Sequence, residues 1–162
     1  MVILEQSMQI FAIAVMVLIV LVSPSAAQSP VLQPSSALSP EDVISIQLKA
    51  LSEAENDPKT NSGVARVWAF AHSANRIVTG PLTRFTKMLQ SLPYRALIGH
   101  RSHHMRQVSL TGDKAHFAIK VTSRDGDVFG YSWHLGKVGA GDYQGMWMTT
   151  SVSLVGKLGQ SL

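Results

Sequence analysis

The sequence predicts an α+β fold, with N-terminal helices packed on one face of a curved antiparallel sheet of about four strands. Three observations predict it. Apolar residues recur every three or four positions from Val43 to Leu89 and then every second position from His104 to Leu135, so a helical period gives way once to a strand period. The strand-like runs are separated by short turns, Gly112-Asp113 and Asp125-Gly126-Asp127, which suit hairpins. Helical segments come first and strands second, without the alternation that a parallel sheet requires.

The chain has 162 residues, a formal charge of +4 and no cysteine, with 46% hydrophobic and 15% charged residues. That is one domain at most once a targeting segment is set aside. The composition excludes a disordered charged tail, and the missing cysteines exclude a disulfide framework, an iron–sulfur site and a thiolate zinc site.

Residues 1–27 are expected to be a secretory signal. Ile10–Val22 is an unbroken run of thirteen apolar residues, short of the ~18 that a spanning helix needs. Pro24 breaks it, and Ser25 and Ala27 fit the small-residue pattern for cleavage before Gln28. The flank before the run holds Glu5 and no Lys or Arg, unless Met8 is the start. The alternatives are an uncleaved N-terminal anchor or a buried helix. Residues 28–38 are rich in Ser, Pro and Gln and read as a spacer. The domain is expected over 39–155, with a tail at 156–162.

Ser39-Pro40-Glu41-Asp42 starts a helix: Ser39 can cap, Pro40 suits the first turn, and the acids favour the positive helix end. Val43, Ile44, Leu48 and Leu51 form its stripe, and it should end near Asn56-Asp57-Pro58. A second helix is expected from about Ser62 to Ala71. A third should start at Thr79-Gly80-Pro81, bury Leu82, Phe85, Met88 and Leu89, and stop at Pro93.

Strands follow over His104–Thr111, Lys114–Ser123 and Val128–Leu135, with a weaker one over Met146–Leu154. A two-residue Gly112-Asp113 turn sets Leu110 opposite Ala115 and Val108 opposite Phe117. The next loop must be odd in length, because an even one turns Phe129, Tyr131 and Trp133 to the wrong face. With Asp125-Gly126-Asp127 as the loop, Tyr131 lies opposite Val121 and Trp133 opposite Ile119. Val108, Leu110, Phe117, Ile119, Val121, Phe129, Tyr131, Trp133 and Leu135 then share the helix-covered face.

Several stretches resemble a bacterial family, the domain of unknown function DUF4864. They are Ser39–Leu51, Phe70–Phe85, Pro93-Tyr94 with His100-Arg101-Ser102, and Gly145-Met146-Trp147-Met148-Thr149. The resemblance spans about residues 38–154, and the block around Asn75 and Thr79-Gly80-Pro81 is its most specific part. It implies an NTF2-like, cone-shaped α+β fold with a cavity between sheet and helices, and no established activity. In the relatives an acidic residue follows Trp-Met-Thr. Here Thr150-Ser151 follow, so an acid–base role at that position does not carry over.

Candidate site residues come from four places. His100, Arg101, His103, His104 and Arg106 cluster in seven residues, but a metal needs at least three convergent ligands. His103 and His104 point to opposite sides of a strand. His103, His116 and His134 are expected on the outer face, with His134 only diagonal to His116. No metal site is expected. His104 and Arg106 fall on the covered face in the register above, which makes Arg106 a ligand-orienting cation. The alternative is a strand that begins or bulges near Gln107 and leaves Arg106 in water. Asn75 and Thr79 suit backbone hydrogen bonding beside the Gly-Pro helix start, and the alternative is that the helix end and Arg84 hold an anion. Tyr131, Trp133, Trp68, Trp147 and Phe85 are either core or cavity lining.

Gly136–Gly145 lacks the context and ending of a phosphate loop. There is no nucleophile elbow, no H-E-x-x-H and no pair of acids spaced for acid–base work. These residues point to an exported domain of the periplasm or cell envelope. Its expected role is that of a non-catalytic small-ligand-binding or interaction module without a cofactor. Its tentative ligand-binding residues are His104, Arg106, Tyr131, Trp133 and Arg84. The expected partners are a small anionic or apolar ligand or an envelope protein, no nucleic acid, and a membrane only through an uncleaved N-terminal segment. The rivals are a small hydrolase-like or isomerase-like enzyme using His104 or Tyr131 with Arg106, and a scaffold without a cavity.

Overall fold

A computed structural model of the chain describes residues 32–54 and 62–160, all within the unit Val31–Leu162. The expected signal or anchor, the first residues of the spacer and the Asn56-Asp57-Pro58 helix stop lie outside the described residues. The fold is α+β. Helices α1 (Pro40–Glu53), α2 (Ser62–Ala69), α3 (Ser73–Thr79) and α4 (Leu82–Gln90) precede strands β1 (Ser102–Thr111), β2 (Lys114–Thr122), β3 (Asp127–Lys137) and β4 (Trp147–Gln160). The strands form one antiparallel sheet in the order β1-β2-β3-β4, curved and open.

Helix α1 starts as its sequence dictates. The Ser39 hydroxyl accepts from the Asp42 backbone N–H at 3.1 Å, and the Asp42 carboxylate accepts from the Ser39 N–H at 2.9 Å. The Ser39 N–H and the Ser39 hydroxyl, which both donate to it, hold the Asp42 carboxyl below the usual carboxylate range. Val43, Ile44, Leu48 and Leu51 are buried. Helix α2 packs closely on α1 because Gly63 has no side chain: a Cβ there would collide with the Ala50 carbonyl oxygen.

One helix was not legible. Helix α3 buries no residue of its own, and Ile77 and Val78 are 81% and 74% exposed. Without an apolar stripe it leaves no helical period to read. Its start is capped by His72, whose Nδ1 accepts from the Ala74 N–H at 3.2 Å.

Among the described residues the sheet carries the expected covered face in its centre. Phe117, Ile119, Val121, Tyr131, Trp133 and Leu135 are all buried against the helices. Two details of register differ. The first hairpin turns at Gly112-Asp113 with Leu110 opposite Ala115, but a bulge follows and Gln107, not Val108, faces Phe117. One extra residue flips every side chain beyond it. Arg106 therefore pairs with Ala118 and His104 with Lys120, on the outer face, while Met105 and His103 join Ile119 and Val121. Val108 and Leu110 stay 45% and 49% exposed, beyond the reach of the helices.

The second hairpin has the expected odd loop, centred one residue earlier. Ser123 N–H donates to the Asp127 carbonyl at 2.8 Å, so Arg124-Asp125-Gly126 is the loop, with Gly126 at φ +89°. Tyr131 lies opposite Ile119 and Trp133 opposite Phe117. The weaker fourth strand is the longest one, because β4 runs to Gln160 and takes in most of the expected tail. Its inner residues Val152 and Leu154 pack on the core, and its far end is tied by Lys157 to Asp127 at 2.8 Å.

Candidate functional site

A cavity of about 510 Å³ lies between the helices and the β3–β4 half of the sheet. That volume is within the range of about 300–1,000 Å³ in which proteins hold small organic ligands. Its floor is Trp133 from β3 and Thr149 from β4, with Gln47 from α1. The three form a closed relay. Trp133 Nε1–H donates to Thr149 Oγ1 at 3.1 Å, Thr149 Oγ1–H donates to Gln47 Oε1 at 2.6 Å, and Gln47 Nε2–H donates to the Val67 carbonyl at 3.2 Å. All three residues are buried, so satisfaction of their polar atoms is required rather than optional.

The wall is apolar where α4 faces inward, with Phe85, Met88 and Leu89. Helix α3 closes one side. It is held there because the 70–72 segment pairs with β4: Thr149 N–H donates to the Phe70 carbonyl and His72 N–H to the Thr149 carbonyl, both at 2.9 Å. Asn75 Nδ2–H donates to the same Thr149 carbonyl at 3.2 Å, and Thr79 Oγ1–H donates to the Asn75 carbonyl at 2.8 Å. Asn75 and Thr79 thus serve the backbone, as one of the two readings of that block has it.

Among the described residues Arg84 is the one charged side chain on the cavity lining, which contains no Asp, Glu, His or Lys. It lies at the exposed rim, with its stem over Gly80. A Cβ at Gly80, which sits at φ +80°, would come within 2.6 Å of Arg84 Cδ. Tyr94 also lines the cavity, and its hydroxyl donates to the Val152 carbonyl at 3.1 Å.

Of the five residues expected at a ligand site, the structure brings Arg84 and Trp133 to the cavity. Tyr131 is buried in the core next to it. Its hydroxyl donates to the Pro93 carbonyl at 2.9 Å, and burial, with Tyr94 nearby, pushes its pKa up to about 12. That phenol is a fixed structural donor. His104 and Arg106 are not at the cavity: both are exposed on the outer face, because a bulge just after Gln107 reverses the alternation, and for Arg106 this is the alternative reading, a bulge that leaves it in water. The cavity residues missed were Gln47 and Thr149. Gln47 had a legible signal, a polar residue falling between Ile44 and Leu48 on the stripe of α1.

Four of the six histidines form two pairs. His100 is buried, and its Nδ1–H donates to the Leu97 carbonyl at 2.8 Å. Its Nε2 is then the acceptor for His103 Nδ1–H at 2.8 Å. Burial pulls both imidazoles below their ordinary value. His103 is therefore not on the outer face. His116 and His134 are, and they lie directly opposite each other rather than diagonally, stacked with ring centroids 4.2 Å apart. The shifted hairpin loop moves each partner by two residues, which brings them face to face. Ser132 Oγ lies 2.8 Å from His116 Nε2 and 3.0 Å from His134 Nε2. This pair borders a second recess, of about 530 Å³, with Lys114, Lys137, Asp113 and His72. Among the described residues no three His, Asp or Glu side chains converge as a metal site would require, and no helix is long and apolar enough to cross a membrane.

Models of known protein families give no match to the chain, and no curated protein matches it significantly.

Proposed function

We propose that the protein is an exported, non-catalytic module that binds a small, largely apolar ligand in the cavity between its helices and sheet. The cavity itself carries this reading: it has ligand-sized volume, apolar walls and a floor whose polar atoms already satisfy one another. Among the described residues its lining holds no carboxylate, imidazole or amine, and its one phenol, Tyr94, has its hydroxyl hydrogen committed to the Val152 carbonyl, which argues against acid–base work on a bound molecule. The enzyme alternative needed His104, Arg106 or Tyr131 in the cavity. A scaffold alternative needed a filled core. The proposal includes the DUF4864 resemblance and its NTF2-like cone, with residues 1–27 as the export signal. An uncleaved anchor at 10–22 would leave the same domain on the membrane's outer side.

Native mass spectrometry of the protein purified from its own cell envelope tests the reading. The expected result is a complex heavier than the bare chain, beginning at Gln28, that loses a small molecule on activation. Ala74 lines the cavity from the exposed side of α3, so Ala74→Trp should block it without disturbing the core. That variant should keep its melting temperature and lose the added mass. A bare mass in the parent protein, or equal added mass in both, overturns the reading.

A further inference from the structure

The cavity sorts its polarity by depth. At the floor, Trp133, Thr149 and Gln47 spend their hydrogen-bonding atoms on one another and on the Val67 carbonyl. Midway, the Tyr94 hydroxyl is committed to the Val152 carbonyl and the Asn75 amide to the Thr149 carbonyl. None of these groups calls for a charge. Arg84, at the rim, is the exception. Among the described residues it is the sole ionised side chain of the lining, and no carboxylate lies within ion-pairing distance of it. Among the described residues the lining is therefore mainly apolar with its deep polar atoms already partnered, singly positive at its mouth and without a negative charge.

Resting on the reading of the cavity as a ligand site, we infer that its ligand is a single-anion amphiphile of the fatty-carboxylate class, bound tail inward with its head on Arg84. An apolar tail gains by leaving water for the wall of Phe85, Met88 and Leu89. A carboxylate head accepts two parallel N–H hydrogen bonds from the guanidinium, the geometry that Arg offers and Lys does not. A cationic head meets only repulsion there, and a neutral alcohol can accept one N–H without charge and without the second, parallel bond. Gly80 positions the head group's partner: because it has no Cβ, the Arg84 stem can lie against the α3–α4 turn, where a Cβ would meet its Cδ.

The test uses the purified protein with Nile red, a neutral dye that brightens in apolar sites, displaced by decanoate, decanol or decylamine at neutral pH. Decanoate is expected to displace the dye at a concentration about tenfold below that of decanol, the effect of one partly exposed charge-assisted hydrogen-bond pair. Decylamine should be the weakest of the three. Arg84→Gln should bring decanoate to the level of decanol and leave decanol unchanged, and Arg84→Lys should restore only part of the difference. Arg84 is exposed, so neither variant threatens the fold, and a melting curve verifies that. Equal displacement by decanoate and decanol in the parent protein, or a decanoate advantage that survives Arg84→Gln, overturns the inference and leaves the cavity a ligand site. Failure of Nile red and of all three competitors to bind overturns the ligand-site reading, and this inference with it.

Discussion

Trp133 and His134 are neighbours on β3, yet they belong to two different environments. Trp133 faces the helices, is buried, and has its indole N–H held by Thr149. His134 faces the other way, is half-buried, and shares Ser132 with His116 beside a recess that also holds Lys114, Lys137 and Asp113. On the inner face the buried polar atoms of Trp133, Thr149, Gln47 and Tyr131 each have a partner within the protein. The outer face keeps titratable groups that remain in exchange with water. The difference follows from the helices covering one side of the sheet, so that an unpaired polar atom is costly inside and nearly free outside.

The comparison is easiest to break with substitutions one residue apart. Trp133→Ala removes the largest side chain of the cavity floor and strands Thr149 and Gln47 beside a larger void. It is expected to cost about 3–5 kcal/mol of unfolding free energy by urea denaturation. Ser132→Ala on the outer face removes one hydroxyl and should change stability by no more than about 1 kcal/mol. Equal costs would mean that the two faces are not differently packed.

A second contrast lies between the two histidine pairs. His100 is pulled below the ordinary imidazole value of 6.5, first by burial, with His103 adding to it and the Leu97 carbonyl opposing it. In the folded chain its Nε2 is an acceptor, so protonation breaks the His103 hydrogen bond and leaves a buried charge. The unfolded chain binds that proton more readily. The stabilising contribution is therefore present above 6.5 and is lost as pH falls through the lower folded value. Urea midpoints measured from above 6.5 to below it should fall toward acid in the parent protein, and fall less in His100→Gln. Parallel profiles would mean that the imidazole is not held neutral by the fold.

How far the sequence reaches can be followed residue by residue. The covered face of β2 and β3 was legible because Phe117, Ile119, Tyr131 and Trp133 alternate strictly, and burial enforces alternation. The cap of α1 was legible because Ser39 and Asp42 act within one turn. Register was legible in part: the Leu110–Ala115 pair, the odd second loop and, as an alternative, a bulge near Gln107 were open to reading, but the centre of that bulge and loop was not, because neither Val108 nor Gly126 announces its own backbone geometry. That one uncertainty moved His104 and Arg106 from the cavity to the outside. Arg84 and Trp133 reached the cavity because they sit on elements whose period fixes their side. Helix α3 was missed for the converse reason, since its apolar residues Ile77 and Val78 face solvent.

The finest test of the two-face contrast concerns the stacked pair alone. His134 is held below 6.5, first by burial and second by His116 across the strand. Ser132 Oγ can donate its hydrogen to one Nε2 while accepting from the other, so the neutral pair closes a two-bond relay. A proton on the His134 Nε2 would break its hydrogen bond as acceptor and place a positive charge against the His116 ring, with ring centroids 4.2 Å apart. Following the ring protons by NMR against pH, His134 is expected to titrate below 6.5 in the parent protein. His116→Gln should raise it only part of the way back, because burial is the larger cause and remains. Stability should shift by less than about 1 kcal/mol, as for other surface changes. A full return to 6.5 would show that the charge of His116, and not the half-buried surroundings, controls His134. The outer face would then be as open to water as a bare surface, and the contrast with Trp133 would be sharper than burial alone makes it.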